Sequence, residues 1–98
     1  MVKPTEIIEF EWDKGNKDKN LEIHNVSDEE CEEIFFDPKK KILKDILHST
    51  SEGRYVLIGK TKLKRLLFLV FTIRKDKIRV ISARNLNKKE KHLYEQKT

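Results

Sequence analysis

Hydrophobic and polar residues alternate over residues 6–12, which is the periodicity of a half-buried strand. Asp13 follows at a position suited to an N-cap and predicts a helix over residues 14–24. Asn25 is expected to end that helix in the left-handed conformation. The start of the chain therefore predicts a strand followed by a helix.

A second helix is predicted directly after the first. Ser27, with Glu30 three residues later, forms a capping box at its start. Pro38 is expected to stop this helix near Phe36 or Asp37, because a helix rarely continues into a proline. The first turns of the helix are strongly acidic.

Four strands are predicted in the rest of the chain. A short strand or sheet edge lies within residues 42–47, and a second strand covers residues 54–61. Residues 66–73 are almost continuously apolar, which is typical of a central strand covered on both faces. A tight turn at residues 75 and 76 leads back through a strand over residues 78–83.

Asn87, with Glu90 three residues later, predicts a capped final helix over residues 88–96. The element order is then β-α-α-β-β-β-β-α. Consecutive strands joined by short turns favour an antiparallel sheet, so we expect one α+β domain over residues 1–98.

The predicted hairpin brings two arginines together. With residues 75 and 76 at the centre of its turn, Leu67 lies opposite Arg84, and Arg65 becomes a diagonal neighbour of Arg84. Two guanidinium groups at this separation repel each other unless an anion lies between them. That anion is either an internal carboxylate, from Glu90 or the acidic helix, or a phosphate of RNA.

Charge divides the chain into two halves of opposite sign. The first 50 residues carry 8 basic and 13 acidic side chains, and the last 48 carry 14 basic and 4 acidic ones. A charged fraction of 40% and a mean hydropathy of −0.71 exclude a membrane-spanning chain. The basic half suits a phosphate-bearing partner, although a solvated charged surface is the simpler alternative.

Few other chemical signatures are present. One cysteine, Cys31, cannot form an internal disulfide, and the N-terminus lacks the apolar segment of a signal peptide, so a cytoplasmic protein is expected. Neither a metal-binding pattern nor a glycine-rich phosphate loop occurs, so no metal or cofactor is expected. Of the three histidines, His48 is the best placed to act as a general base, although a surface role is the alternative.

Several short motifs, in order and at the right spacing from about Glu9 to Tyr94, resemble the BrnT family of ribonuclease toxins. They are Phe10-Glu11-Trp12-Asp13, Asn20, His24, Val26-Ser27, Glu33-Ile34-Phe35-Phe36-Asp37, His48-Ser49, Glu52-Gly53-Arg54-Tyr55-Val56-Leu57-Ile58-Gly59, Ile78-Arg79-Val80-Ile81-Ser82-Ala83-Arg84, Glu90 and Tyr94.

The resemblance implies a RelE-like fold, with helices packed on one side of the antiparallel sheet. It implies the toxin of a type II toxin–antitoxin system, a metal-independent endoribonuclease that cleaves RNA and arrests translation. A ribbon-helix-helix antitoxin would neutralise it, and operator DNA would be contacted only through the toxin–antitoxin complex.

By looser analogy with RelE-like toxins, the resemblance implies catalytic roles for Arg65, Arg84 and Tyr94. Glu90, His48 or a lysine of lowered pKa would be the base that activates a ribose 2′-hydroxyl group. The expected substrate-binding residues are Lys60, Arg54, Lys62, Lys64, Arg74 and Arg79.

Two alternatives stay open at this point. The chain could be a non-catalytic basic module that binds nucleic acid or an acidic protein partner. It could also be a DNA-binding domain, which ranks lower because no helix-turn-helix pattern occurs in the sequence.

Overall fold

A computed structural model describes residues 8–44 and 53–96. It is an α+β fold with a four-stranded antiparallel sheet, in which the strands lie side by side in the order of the sequence. The described elements are α1 (Lys19–His24), α2 (Asp28–Glu33), a 3-10 turn (Ile34–Phe36), β1 (Lys41–Lys44), β2 (Arg54–Lys60), β3 (Leu66–Arg74), β4 (Lys77–Asn85) and α3 (Lys88–Glu95). No described helix is long and apolar enough to cross a membrane.

The strand predicted over residues 6–12 is reduced to a single bridge in its described part. Phe10 pairs in parallel with Ile78. The Glu11 amide donates to the Ile78 carbonyl oxygen, and the Ile78 amide donates to the Glu9 carbonyl oxygen, each at 2.8 Å. The side chain of Asn16 then donates to the carbonyl oxygens of Glu11 and Val80, at 3.0 and 3.1 Å. Pairing stops there because a side chain occupies the position of the next inter-strand bond.

The first helix begins five residues later than predicted. Asp13 does accept a hydrogen bond from the amide of Gly15 at 2.8 Å, but residues 14–18 form turns. Asp18 adopts a left-handed conformation with φ of 57°, which a helix interior does not accept, so α1 starts at the following residue. Asn25 ends α1 with φ of 57°, as predicted.

The predicted capping boxes, helix end and hairpin turn are confirmed, whereas residues 45–47 of the strand predicted within residues 42–47 lie outside the described residues. Ser27 and Glu30 form the capping box of α2, and Asn87 and Glu90 form that of α3. The α2 segment ends in the 3-10 turn, two residues before Pro38. The turn at residues 75 and 76 has φ of 48° and 65°, the left-handed pair that a two-residue hairpin requires.

Helices cover both faces of the sheet, so the expectation of helices on one side is wrong. One core joins α2 and the 3-10 turn to alternate strand residues that include Leu57, Leu67 and Leu69. A smaller core joins α3 to the intervening residues, among them Ile58 and Phe68. Successive strand residues point to opposite faces, so the continuous apolar run in β3 is buried from two sides. We call the second side the α3 face.

A β-bulge changes the predicted register of the β3–β4 hairpin. Phe71 pairs with Val80, but the preceding residue of β3, Val70, pairs with Ser82. Ile81 is therefore an extra residue in β4. The register beyond this point is shifted by one residue relative to the prediction.

The shift moves Arg84 to the other face of the sheet. Phe68, not Leu67, lies opposite Arg84 in the structure. Because a one-residue slip exchanges the two faces, Arg84 lies on the α3 face. The predicted opposition of Leu67 and Arg84 is wrong for this reason.

Candidate functional site

Arg84 lies on the α3 face, with its guanidinium group held from two directions. The group lies over the ring of Phe68, 4.1 Å from its centre. Glu90, at the third position of α3, accepts two parallel hydrogen bonds of 2.8 Å from it. The Arg84 side chain is still 40% exposed. This fork is the geometry in which arginine binds carboxylates and phosphates most specifically.

The Arg84–Glu90 pair holds both groups in their charged forms. The hydrogen bond from Arg84 lowers the pKa of Glu90 below its ordinary value of 4.5, even though partial burial opposes this. The same hydrogen bond raises the pKa of Arg84. A carboxylate that is weakly basic and bound at both oxygens is poorly suited to remove a proton from a hydroxyl group.

Arg65 lies on the opposite face of the sheet and is bound by its own chain. Its Nη1 donates to both carboxylate oxygens of Glu30, each at 3.1 Å, and to the carbonyl oxygen of Asn25 at 2.7 Å. Its Nε donates to the side chain of Asn85 at 2.8 Å. These contacts join β3 and β4 to the junction between α1 and α2.

The close approach of Arg65 to Arg84 that the hairpin predicted is not found in the described structure. Arg65 and Arg84 lie on opposite faces, and each is paired with the glutamate of a helix capping box, Glu30 or Glu90. Of the two interpretations of these arginines, pairing with internal carboxylates is the one that the geometry shows. The two residues must therefore be assigned separate roles.

Tyr94 and Lys60 meet beside Asp37, a residue to which the sequence had assigned no role in the site. The Tyr94 hydroxyl donates to Asp37 at 2.6 Å, and the Lys60 amide donates to the same oxygen at 2.8 Å. The Lys60 ammonium group lies 5.7 Å from the centre of the Tyr94 ring. Asp37 thus fixes the end of β2 against α3, and only the tertiary structure shows this role.

Asp37 and Tyr94 affect each other's protonation. Partial burial raises the pKa of Asp37, but hydrogen bonds from Tyr94 and two backbone amides outweigh it, so the pKa lies below 3.8. Burial raises the pKa of Tyr94, and the neighbouring carboxylate raises it further. The Tyr94 ring is buried and its hydroxyl group is a neutral donor that is already bound.

Three of the predicted basic residues lie away from this site or are occupied, and a fourth, Lys64, lies on the loop beside it. Arg79 is held by Glu11 and Asp13, at 3.0 and 2.7 Å, and fastens the N-terminal segment to β4. Arg54 and Arg74 lie toward the far end of the sheet. Phe68, the β3 partner of Arg84, lies six residues before Arg74, which corresponds to about 20 Å at the rise of a strand. Lys64 is exposed in the β2–β3 loop.

An open cleft adjoins the α3 face. Its volume is about 760 Å³, and Asp37, Lys60, Lys62 and the exposed ring of Phe36 line it. The 3-10 turn that carries Phe36 packs tightly on β2, since a Cβ atom at Gly59 would lie 2.9 Å from Cβ of Ile34. The sequence did not indicate this cleft.

The structure says little about two predictions, the role of His48 as a general base and the lack of a metal. His48 lies outside the described residues. Among the residues that are described, no group of three metal-binding side chains is close enough to hold an ion.

Residues 12–90 match a family model described as "Ribonuclease toxin, BrnT, of type II toxin-antitoxin system". The match includes Arg65, Arg84 and Glu90, and it ends four residues before Tyr94. A search of curated proteins found no match.

Proposed function

The chain belongs to the BrnT family of ribonuclease toxins of type II toxin–antitoxin systems, and from this membership we propose that it is an endoribonuclease with its phosphate-binding site on the α3 face. Arg84 is the residue that would contact the scissile phosphate. Cleavage of RNA by this site would arrest translation in the cytoplasm.

The observation that carries the proposal is the difference between the two arginines. Arg84 is 40% exposed, and neither its Nε nor its second Nη2 hydrogen has an acceptor among the described residues. Arg65 is 26% exposed and donates through all three of its nitrogens to its own chain. Arg84 is therefore more exposed than Arg65 and keeps more donors available for a phosphate, its Nε among them.

The proposed reaction needs no metal ion. A base removes the proton of a ribose 2′-hydroxyl group, the 2′-oxygen bonds to phosphorus, and the bond to the 5′-oxygen breaks. The products are a 2′,3′-cyclic phosphate and a 5′-hydroxyl end, which takes up a proton. Arg84 would stabilise the charge that develops on the phosphoryl oxygens, and such preorganised donors usually contribute most to catalysis.

The other predicted residues take different parts in this proposal. Glu90 positions the Arg84 guanidinium group rather than acting as the base, because its pKa is lowered and both oxygens are bound. His48 is our candidate for the base, since an imidazole titrates near neutral pH. Tyr94 positions Lys60 through Asp37. Lys62 and Lys64, on the adjoining loop, would hold the RNA backbone with little base preference.

A type II system supplies an antitoxin partner for this chain. We propose that the antitoxin is of the ribbon-helix-helix type and that operator DNA is bound only by the complex. We also propose that the fold is RelE-like, which rests on the antiparallel sheet and on the family resemblance.

Purified protein incubated with a defined RNA in excess EDTA tests the activity. The expected result is cleavage that leaves 2′,3′-cyclic phosphate ends. The matched control is the same RNA with deoxyribose at the cleaved nucleotide, which lacks the attacking hydroxyl group and should stay intact. RNA that stays intact with EDTA but is cleaved with added Mg²⁺ would contradict the metal-independent reaction.

One observation favours a second candidate, a non-catalytic binding module. Both arginines to which the family resemblance assigned catalytic roles are paired with internal carboxylates. In such a module the basic surface would only dock a partner. RNA that stays intact with and without ribosomes, under all metal conditions, would favour this alternative.

A further inference from the structure

The cleft beside the α3 face has two walls of opposite charge. Lys60 and Lys62 lie on the β2 side, and Glu29, Glu32 and Glu33 lie on the α2 side. Cations on one side and carboxylates on the other suit a ligand that carries an anion at one end and hydrogen-bond donors at the other. A nucleotide with an amino-bearing base has this arrangement.

An exposed aromatic ring also lines the cleft. Phe36 is 65% exposed, although a phenylalanine side chain normally gains free energy from burial. It follows two buried residues of the 3-10 turn, Ile34 and Phe35, so the backbone around it is anchored in the core. An exposed aromatic ring beside lysines is the usual arrangement for stacking an unpaired base.

Acceptors are available on the acidic wall. Glu32 uses one carboxylate oxygen to bind the indole of Trp12 at 2.7 Å, and Glu33 uses one to bind the Lys62 amide at 3.0 Å. The second oxygen of each has no hydrogen-bond partner within the described ranges. Glu29 is exposed, and its side chain makes no hydrogen bond to the described residues. Carboxylates of this kind accept from the amino group of cytosine or adenine, whereas uracil offers an acceptor there.

We propose that this cleft is a nucleobase subsite for RNA, in which one unstacked base lies on the Phe36 ring, its phosphate pairs with Lys60 and Lys62, and its amino group donates to a glutamate of α2. The subsite prefers cytosine or adenine over uracil. It gives the ribonuclease a base preference that phosphate contacts alone do not provide.

The cleft is continuous with the proposed catalytic face. Lys60 lines the cleft and also lies over the ring of Tyr94, and Asp37 lines the cleft and binds the Tyr94 hydroxyl. A nucleotide seated in the cleft therefore has a neighbour along the strand within reach of α3. The inference rests on the proposed function only in taking RNA as the ligand.

Binding of non-cleavable RNA tests the subsite without requiring catalysis. The probes are fluorescent 2′-O-methyl decamers of cytidine or uridine, which lack the attacking hydroxyl group, measured by anisotropy at one fixed salt concentration. We expect wild-type protein to bind the cytidine decamer about tenfold more tightly than the uridine decamer. Phe36→Ala should weaken binding of the cytidine decamer about fivefold or more.

Three further variants separate stacking and base recognition from general damage. Phe36→Tyr keeps the ring and should bind like wild type. Ile23→Ala removes an apolar side chain of similar exposure, 61%, from α1 and should also bind like wild type. Glu29→Gln should reduce the preference for cytidine over uridine, because an amide also offers a donor. Thermal unfolding of each variant verifies that it is folded.

The subsite would be overturned if wild-type protein bound the two decamers equally. It would also be overturned if Phe36→Ala bound the cytidine decamer as tightly as Ile23→Ala does. Cleavage of mixed-sequence RNA is scored separately. Cleavage without a Phe36-dependent base preference means that the subsite fails and the proposed ribonuclease stands. A Phe36-dependent preference without any cleavage means that the subsite stands and the proposed ribonuclease fails.

Discussion

Replacing Arg65 with alanine should destabilise the fold, because this arginine is bound by its own chain. The change removes two contacts of 3.1 Å to Glu30 and a 2.7 Å bond to the Asn25 carbonyl oxygen. It leaves the Glu30 carboxylate, whose side chain is only 27% exposed, without its cation. The variant should thus lose the contacts that join the start of β3 to the end of α1 and to α2.

The size of the loss follows from these contacts. Hydrogen bonds to charged groups contribute about 1.5–3 kcal/mol each, and exposure of about a quarter reduces that contribution. We expect Arg65→Ala to lower the free energy of unfolding by about 2–3 kcal/mol. For a domain of this size, such a loss lowers Tm by roughly 10 °C or more.

A double-mutant cycle with Glu30→Gln, measured by urea unfolding, separates the ion pair from the other bonds. The glutamine keeps an oxygen that can accept the capping-box hydrogen bond from the Ser27 amide. We expect a coupling energy of about 1–2 kcal/mol between positions 65 and 30, with an unchanged urea slope. A coupling near zero, with Arg65→Ala as stable as wild type, would refute the structural assignment of Arg65.

Three further predictions concern stability. Changing Lys75 to Asn together with Asp76 to Gly should raise the free energy of unfolding by about 0.5–1 kcal/mol, since φ is positive at both positions; an unchanged urea midpoint would contradict this. Tyr94→Phe should cost about 1–2 kcal/mol in the same assay, because the Asp37 carboxylate loses a 2.6 Å hydrogen bond; a neutral effect would show that this bond does not hold α3. The pKa values of Glu30 and Glu90 lie below 4.5 in the folded state, so their contribution to stability is present above about pH 4.5 and is lost as the pH falls through the lowered values. The urea midpoint, measured from pH 7 to pH 3, should therefore decrease below about pH 4.5, and it should decrease less for Glu90→Gln than for wild type; an equal decrease would contradict the role of Glu90.

Local sequence chemistry predicted the caps and turns of this fold well. The capping boxes at Ser27 and Asn87 and the left-handed Asn25 each depend on a few neighbouring residues, so their geometry can be inferred without the tertiary structure. The burial of β3 on both faces was likewise evident from its unbroken apolar run.

Long-range features escaped prediction because single side chains decide them. The bulge at Ile81 has no local signal, yet it moves Arg84 to the other face. The Asn16 side chain, which ends the pairing of the N-terminal segment, acts on Val80, 64 residues away. Nothing near residues 14–24 shows that Asp18 is left-handed.

The candidate site was predicted in part. Lys60, Arg84, Glu90 and Tyr94 do share the α3 face, whereas Arg65 does not. Asp37 was missed because its role depends on β2 and α3 meeting beside it. An acidic residue that follows a helix gives no sequence signal for that contact.

The central claim is that Arg84, and not Arg65, acts on the scissile phosphate. The most direct measurement is the single-turnover rate of RNA cleavage in excess EDTA, for Arg84→Ala and Arg65→Ala, at a temperature where both variants are folded. Removing one stabilising donor typically costs about 100- to 1000-fold in rate, so we expect a loss of that size for Arg84→Ala. Arg65→Ala should stay within a few-fold of wild type. A folded Arg84→Ala variant that cleaves RNA at the wild-type rate would contradict the account.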